Sequence, residues 1–147
     1  MNYSQSFAIS ATGMDVERLR VEVAALNIAN ANTVLSADGK GFQPLRVTAQ
    51  SALGVQSMDG NGFSSLVGQG LAGPTSLVEP SGRAVRAVLD PGHPQADARG
   101  YVSYPGVDPA TEMMTMLSAS RAYEANVVAM NTARAMAVKA LEIGGAS

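Results

Sequence analysis

The chain contains no cysteine and no tryptophan, and aromatic residues make up only 5% of its 147 positions. Without cysteine there is no disulfide, no thiol nucleophile and no cysteine-based zinc site. That lack also suits an oxidising compartment. Without large aromatics, Ala, Val, Leu and Met must fill whatever core exists. A single histidine, His93, sits between two prolines in Asp90-Pro91-Gly92-His93-Pro94. One histidine is thin support for a metal site or a Ser-His-Asp arrangement, and a turn role is favoured. No apolar run approaches the length of about 20 residues that a membrane helix needs. Met1 to Ala11 lacks the basic and apolar regions of a secretory leader, so export is expected to use another route. The formal net charge of −2 gives no reason to expect nucleic acid or an anionic membrane as partner.

The apolar content is 46% against 15% charged, enough for an ordered chain. Proline and glycine divide it. All seven prolines lie within residues 32–109, residues 4–31 hold one glycine, and residues 110–143 hold neither. The two ends are therefore expected to be helices, and the middle turns and short strands. In the N-terminal helix Phe7, Met14, Val21 and Ile28 form one apolar row, and Val16, Leu19, Val23 and Leu26 a second. Two rows cover more circumference than one buried stripe requires. Asn2 and Gln5 fit a capping box, and Gly13 fits either a tolerated defect or a close helix approach.

The C-terminal helix is expected to begin with Asp108 as N-cap and Pro109 in the first position, and to be stopped by Gly144 and Gly145. One row runs through Met113, Met116, Ser120, Tyr123, Val127, Met130, Arg134, Ala137 and Leu141. A second, nearly all small, runs through Ala119, Ala122, Asn126, Ala129, Ala133, Met136 and Ala140. Small side chains let helices approach closely. A helix of roughly 50 Å at 1.5 Å per residue offers more apolar surface than one shorter helix can cover, which implies other copies or chains. A buried Asn126 would fix register at a cost in stability.

In the middle, Leu45, Val47 and Ala49 alternate with polar residues as in a strand. Met58 to Gly62 forms a turn cluster, Phe63 to Val67 a possible return strand, Val85 to Leu89 another strand, and residues 68–82 a loop. Gly68-Gln69-Gly70-Leu71-Ala72-Gly73 spells a dinucleotide fingerprint. Pro74 and Pro80 follow at once, however, and leave no helix to hold a pyrophosphate. No convergent catalytic site can be drawn, and neither an enzyme, a cofactor nor a small-molecule substrate is expected.

Val23-Ala24-Ala25-Leu26-Asn27-Ile28-Ala29-Asn30-Ala31-Asn32-Thr33 resembles the N-terminal signature of flagellar rod and hook axial proteins. Gly100-Tyr101-Val102, Glu112-Met113 and Ser118-Ala119-Ser120-Arg121-Ala122-Tyr123-Glu124-Ala125-Asn126-Val127 resemble the matching C-terminal signature. Within the flagellar basal-body rod family, the run from Asp90 to Pro105 and the ending Lys139 to Gly144 are most similar to the short proximal-rod members. Residues 50–87 resemble nothing placed.

The resemblance implies a mainly α chain. An N-terminal rod helix and Asn-rich turn would occupy residues 1–33, a small β and loop-rich region 34–107, and a C-terminal rod helix 108–147. The terminal helices would pack as coiled coil. It implies a structural subunit of the proximal rod that assembles helically and transmits motor torque. Its partners would be other copies of itself, other rod proteins and the membrane-ring and export-gate base. The flagellar type III export apparatus would handle it in transit to a periplasmic position.

On this view Phe7, Met14, Val21, Leu26, Ile28, Met113, Met116, Tyr123, Val127, Met130 and Leu141 form assembly seams. Asn27, Asn30, Asn32 and Asn126 fix turn and register. In isolation the terminal helices are expected to fray. The alternative from the residues alone is a soluble helical-hairpin adaptor with a small β insert.

Overall fold

The computed structural model of the chain describes residues 3–36, 41–50 and 74–144. The Asn2 capping box, the turn at 58–62, the return strand at 63–67 and the Gly-rich run at 68–73 lie outside the described residues.

The first helix, α1, spans Tyr3–Asn30. It ends in two tightened turns, Ala31 N–H to Ile28 O and Thr33 N–H to Asn30 O, both 3.1 Å. Such bonds satisfy carbonyls that the helix itself leaves over. Asn30 donates its side-chain amide back to Leu26 O at 2.9 Å, closing another.

The last helix, α2, spans Pro109–Gly144, roughly 54 Å at the usual rise. Asp108 caps it as expected. Its Oδ1 accepts the Ala110 N–H at 3.2 Å and its Oδ2 the Thr111 hydroxyl. Pro109 in the first position gives up a donor that would have no partner there. The caps account for where both helices begin or end; the absence of interior proline accounts for their length.

Four strands lie between: β1 Leu45–Gln50, β2 Thr75–Pro80, β3 Arg86–Leu89 and β4 Tyr101–Tyr104. They form two two-stranded sheets, β1 with β2 and β3 with β4. The strands over 45–50 and 86–89 fall where alternation placed them. β2 corrects the expected loop over 68–82. Thr-Ser-Leu-Val-Glu-Pro is strand-competent, and its only proline ends the strand, where a lost donor does no harm. Arg46 pairs with Glu79 at 2.9 Å across this sheet.

In the second sheet Arg86 faces Tyr104 and Leu89 faces Tyr101. The Arg86 guanidinium lies 5.3 Å from the Tyr104 ring centroid. Asp97 organises the turn between these strands, accepting the N–H groups of Arg99 and Tyr101 at 2.8 Å. The Tyr101 bond, first among its partners, holds the Asp97 carboxyl below its ordinary value of 3.8. His93 takes a turn role there: its Nδ1 accepts the Gln95 N–H at 3.1 Å.

The chain divides into two compact units. Residues 20–47 and 78–118 form one. Its core gathers Val23, Ala24, Asn27 and Ala31 of α1 with Leu35, Val102, Pro105, Val107 and Glu112. Leu35 N–H reaches Ser103 O at 2.8 Å, which ties the segment after α1 to β4. Burying Val102 completely contributes about 1.5–3 kcal/mol. Residues 1–19, 48–77 and 119–147 form the other unit, in which Val16 and Ala119 are the buried apolar residues among those described.

Gly106 marks the tightest passage among the described glycines of the first of these units. A Cβ built there would fall on the carbonyl oxygen of Ala84, a backbone atom with little freedom to move. Gly106→Ala is expected to cost about 1–3 kcal/mol through forced backbone shifts. Gly92→Ala, whose nearest neighbour would be an ordinary 3.7 Å away, should stay within about 0.5 kcal/mol of wild type. Urea midpoints of the two variants make the comparison; equal midpoints would sink it.

Candidate functional site

Two features stand out, one polar and buried, one apolar and exposed. The polar one is a clasp that joins four segments of the unit formed by residues 20–47 and 78–118. Asn27 lies one turn before the end of α1 and is 1% exposed. Its Oδ1 accepts the Leu45 N–H at 2.9 Å, and its Nδ2 donates to Leu45 O at 2.8 Å. The carboxamide thus serves the first residue of β1 as a neighbouring strand would. The other Nδ2 hydrogen goes to Glu112 Oε2 at 3.1 Å.

Glu112, in the first turn of α2, is itself buried, and its Oε1 receives Arg83 Nη1 at 2.8 Å. A buried carboxylate is costly unless paired and hydrogen-bonded, and here both oxygens are met. The helix N-terminus favours its charge as well. Among the described residues no buried side-chain polar atom lacks a partner.

Beside the clasp lies a cavity of about 200 Å³, lined by Leu35, Phe42, Pro44, Pro80, Val85 and Pro105 with Arg83 at its side. It holds no convergent set of titratable groups. Among the described residues no cluster of three or more His, Asp or Glu could hold a metal ion, and no helix is long and apolar enough to cross a membrane.

The apolar feature is the surface of α2. Its buried and half-buried residues run Glu112, Met116, Ala119, Ala122, Asn126, Val127, Met130, Ala133 and Ala137, a stripe that after Glu112 is drawn from both rows seen in the sequence. The flanks of that stripe are open. Met113, Tyr123 and Leu141 of the first row are exposed, as are Ala129, Met136 and Ala140 of the second. On the far side Met114, Leu117 and Val128 are more than half exposed.

In α1, Phe7, Met14, Val21 and Ile28 are half-buried, and Leu26 is exposed. The four asparagines have different fates. Asn27 enters the clasp, Asn30 bonds its own helix, and Asn32 is exposed. Asn126 is half-buried against Gly13, where an added Cβ would stand 3.0 Å from its Nδ2. Glu112 and Arg83 did not stand out in the sequence as site residues. Glu112 entered only within the C-terminal signature and as an acidic residue in the first turn of a capped helix, and Arg83 carried no local signal.

The sequence profile of the flagellar basal body rod FlgEFG protein C-terminal family matches residues 98–143. The chain is 37% identical over 153 residues to the flagellar basal-body rod protein FlgC of Bacillus subtilis strain 168, covering 98% of this chain and 99% of that protein. It is 35% identical over 140 residues to FlgC of Salmonella typhimurium strain LT2, covering 94% and 95%. FlgC of Yersinia enterocolitica is 33% identical over 144 residues, covering 98% and 99%.

Three expectations follow from the geometry. Glu112→Leu strips both Asn27 and Arg83 of their acceptor and should cost about 2–3 kcal/mol. The figure stays moderate because the 39% exposed Arg83 side chain regains water; an unchanged urea midpoint would contradict the clasp. Gly13→Ala gains helix propensity of about 1 kcal/mol but crowds Asn126. The double variant with Asn126→Ala should therefore be more stable than the two single changes add up to, and strict additivity would refute the contact.

Third, the Thr111 hydroxyl and then the Ala110 N–H hold the Asp108 carboxyl below its ordinary 3.8. The advantage of wild type over Asp108→Ala is thus complete above that value. It should vanish as pH falls through the lowered folded one. A difference in melting temperature that persists at lower pH would show the cap does not depend on the charge.

Proposed function

The chain belongs to the flagellar basal-body rod protein family and is a structural subunit of the bacterial flagellar rod, and from that premise we propose that it works in the proximal rod as one element of a helical tube that carries motor torque. The family is not known as an enzyme family, and no catalytic step is assigned to the chain. Membership implies assembly with other rod components of the basal body. Beyond that, the subunit is proposed to lie in the periplasm, on the membrane-ring and export-gate base, beside further copies of itself. It reaches that position through the flagellar type III apparatus.

The observation that carries this reading is the open surface of α2. Met114, Leu117, Val128, Leu141 and Ile143 are between 56% and 80% exposed on a helix whose other side is already in use. Apolar surface on that scale is characteristic of an interaction site. Helices with small residues on one seam and larger apolar ones on the flanks can take more than one neighbour, as coiled-coil packing in a tube requires. The seam residues Phe7, Met14, Val21, Leu26, Ile28, Met113, Met116, Tyr123, Val127, Met130 and Leu141 are proposed to divide between contacts inside the subunit and contacts with neighbours. Asn126 is proposed to set the register. Asn27, Asn30 and Asn32 are proposed to shape the end of α1.

In-frame deletion of the gene, with swimming scored and basal bodies imaged, tests the rod position. Membrane rings without a completed rod or hook are expected; normal swimming with intact rods, and no second copy of the gene, would refute it. Leu117 and Val128, about three turns apart on one face of α2, allow a finer test. Val128→Glu should leave the circular dichroism of the purified subunit unchanged and abolish complementation of the deletion. Full complementation would exclude this face from assembly.

A further inference from the structure

The sheet of β3 and β4 has two edges, and only one of them is closed. Antiparallel strands bond through alternate residues, so every second residue turns its backbone groups outward. Asp90 N–H reaches Gly100 O at 2.9 Å, in step with the register that sets Leu89 against Tyr101 and Arg86 against Tyr104. Arg86 and Val88 therefore bond inward to β4, and Ala87 and Leu89 turn their N–H and C=O groups away from it. On β4 the outward residues are Tyr101 and Ser103. Tyr101 N–H goes to Asp97 Oδ1, Tyr101 O takes the Asp97 N–H, and Ser103 O takes the Leu35 N–H, each at 2.8 Å. On β3 the outward groups of Ala87 and Leu89 have no partner among the described residues, and the whole strand is exposed. Such an edge is a template for another strand.

We propose that β3 pairs antiparallel with β3 of a second copy of this chain, about a two-fold axis at Val88. In that register Ala87 of each copy faces Leu89 of the other, and every outward group named above gains a bond. Arg86 then stands across from Asp90 of the other copy at both ends of the pairing, an opposite-charge pair of the kind that stabilises neighbouring strands. Other registers do worse. Setting Leu89 against Leu89 brings Ala87 against Pro91, which has no N–H to give. Setting Ala87 against Ala87 brings Arg86 against Val88. The charge pattern around β3 thus selects both the occupant and its register. The pairing is isologous and closes at two copies, so it builds no tube. It is a property of the free subunit, independent of the rod assignment and of the α2 surface. A strand this short buries far less than the roughly 1,200 Å² of a stable complex, so the dimer is weak and concentration-dependent.

The lack of cysteine makes the register readable. At the axis Val88 meets Val88 in the more closely spaced kind of pair, with Cα atoms about 4.5 Å apart, within reach of a disulfide. Leu89 meets Ala87 instead, which leaves the two Leu89 Cα atoms beyond the roughly 7 Å limit for bridging. Under mild oxidation Val88→Cys is expected to form a covalent dimer. Leu89→Cys, although Leu89 is 60% exposed against 38% for Val88, is not. Equal cross-linking of the two variants, or none at Val88→Cys, would overturn the proposal.

Sedimentation of the full chain at several concentrations tests the charges. Arg86→Asp and Asp90→Arg should each weaken association about tenfold or more by setting like charges opposite one another, and the double variant should restore it. A double variant no better than either single one would refute the pairing. Val128→Glu should leave association unchanged; its loss would move the contact to α2 and sink the idea. Slow amide exchange at Ala87 and Leu89 in the dilute monomer would show that the chain covers this edge itself, and would likewise refute it.

Discussion

Everything in the unit of residues 20–47 and 78–118 is arranged around one buried carboxylate. Glu112 can sit 6% exposed only because Asn27 and Arg83 each give an oxygen a hydrogen bond. Those two partners lie 85 and 29 positions before it in the sequence, and with the Asn27 bonds to Leu45 their meeting fixes the end of α1, the start of β1 and the start of α2 together. The choice of side chain at position 27 follows from the arrangement. It must offer one acceptor and two donors in a plane. A carboxylate there would place charge against charge and lose both donors, and an apolar residue would leave the Leu45 backbone groups unpaired.

The helices obey a different rule. Charged residues are few and small residues many, and the buried stripe of α2 is dominated by alanine and interrupted by Asn126 over Gly13. Such a seam gains little from transfer of large side chains out of water. It gains from closeness, because many weak dispersion contacts require backbones that can approach. The larger apolar residues, Met113, Leu117, Val128 and Leu141, are spread outside the stripe. A subunit built this way keeps its bulkiest apolar groups for surfaces it does not itself cover. That distribution suits a rod subunit better than a self-contained globular domain.

Local pattern and long-range pairing differ in how far sequence reveals them. Both helices were legible from where proline and glycine are absent, and the start of α2 from the Asp108-Pro109 pair. These depend on neighbours within a few residues. β1 and β3 were legible for the same reason. β2 was not, because Thr-Ser-Leu-Val-Glu-Pro carries no apolar–polar alternation and Gly and Pro surround it. β4, Tyr101–Tyr104, was noticed only as part of a signature.

The clasp was half visible: Asn27 stood out as part of an Asn-rich turn, but its partner Glu112 is 85 positions away. No periodicity connects the two. The apolar rows of α2 were likewise correct as patterns yet did not show which side is covered, since the covered stripe runs between them.

A polar clasp at this place does something that apolar packing would do less well. Apolar contacts are non-directional, and a seam of alanines and methionines tolerates small slides and rotations. The Asn27 carboxamide does not: both its bonds to Leu45 must keep length and plane, and a shift of β1 against α1 breaks both at once. The buried Glu112 tolerates still less, because any movement that parts it from Arg83 leaves a charge out of water. The clasp thus makes a directional joint where two helices and a strand come together. Within the subunit, a slide of β1 against α1 loses both Leu45 bonds, and a parting of Arg83 from Glu112 loses the pair that holds the buried charge.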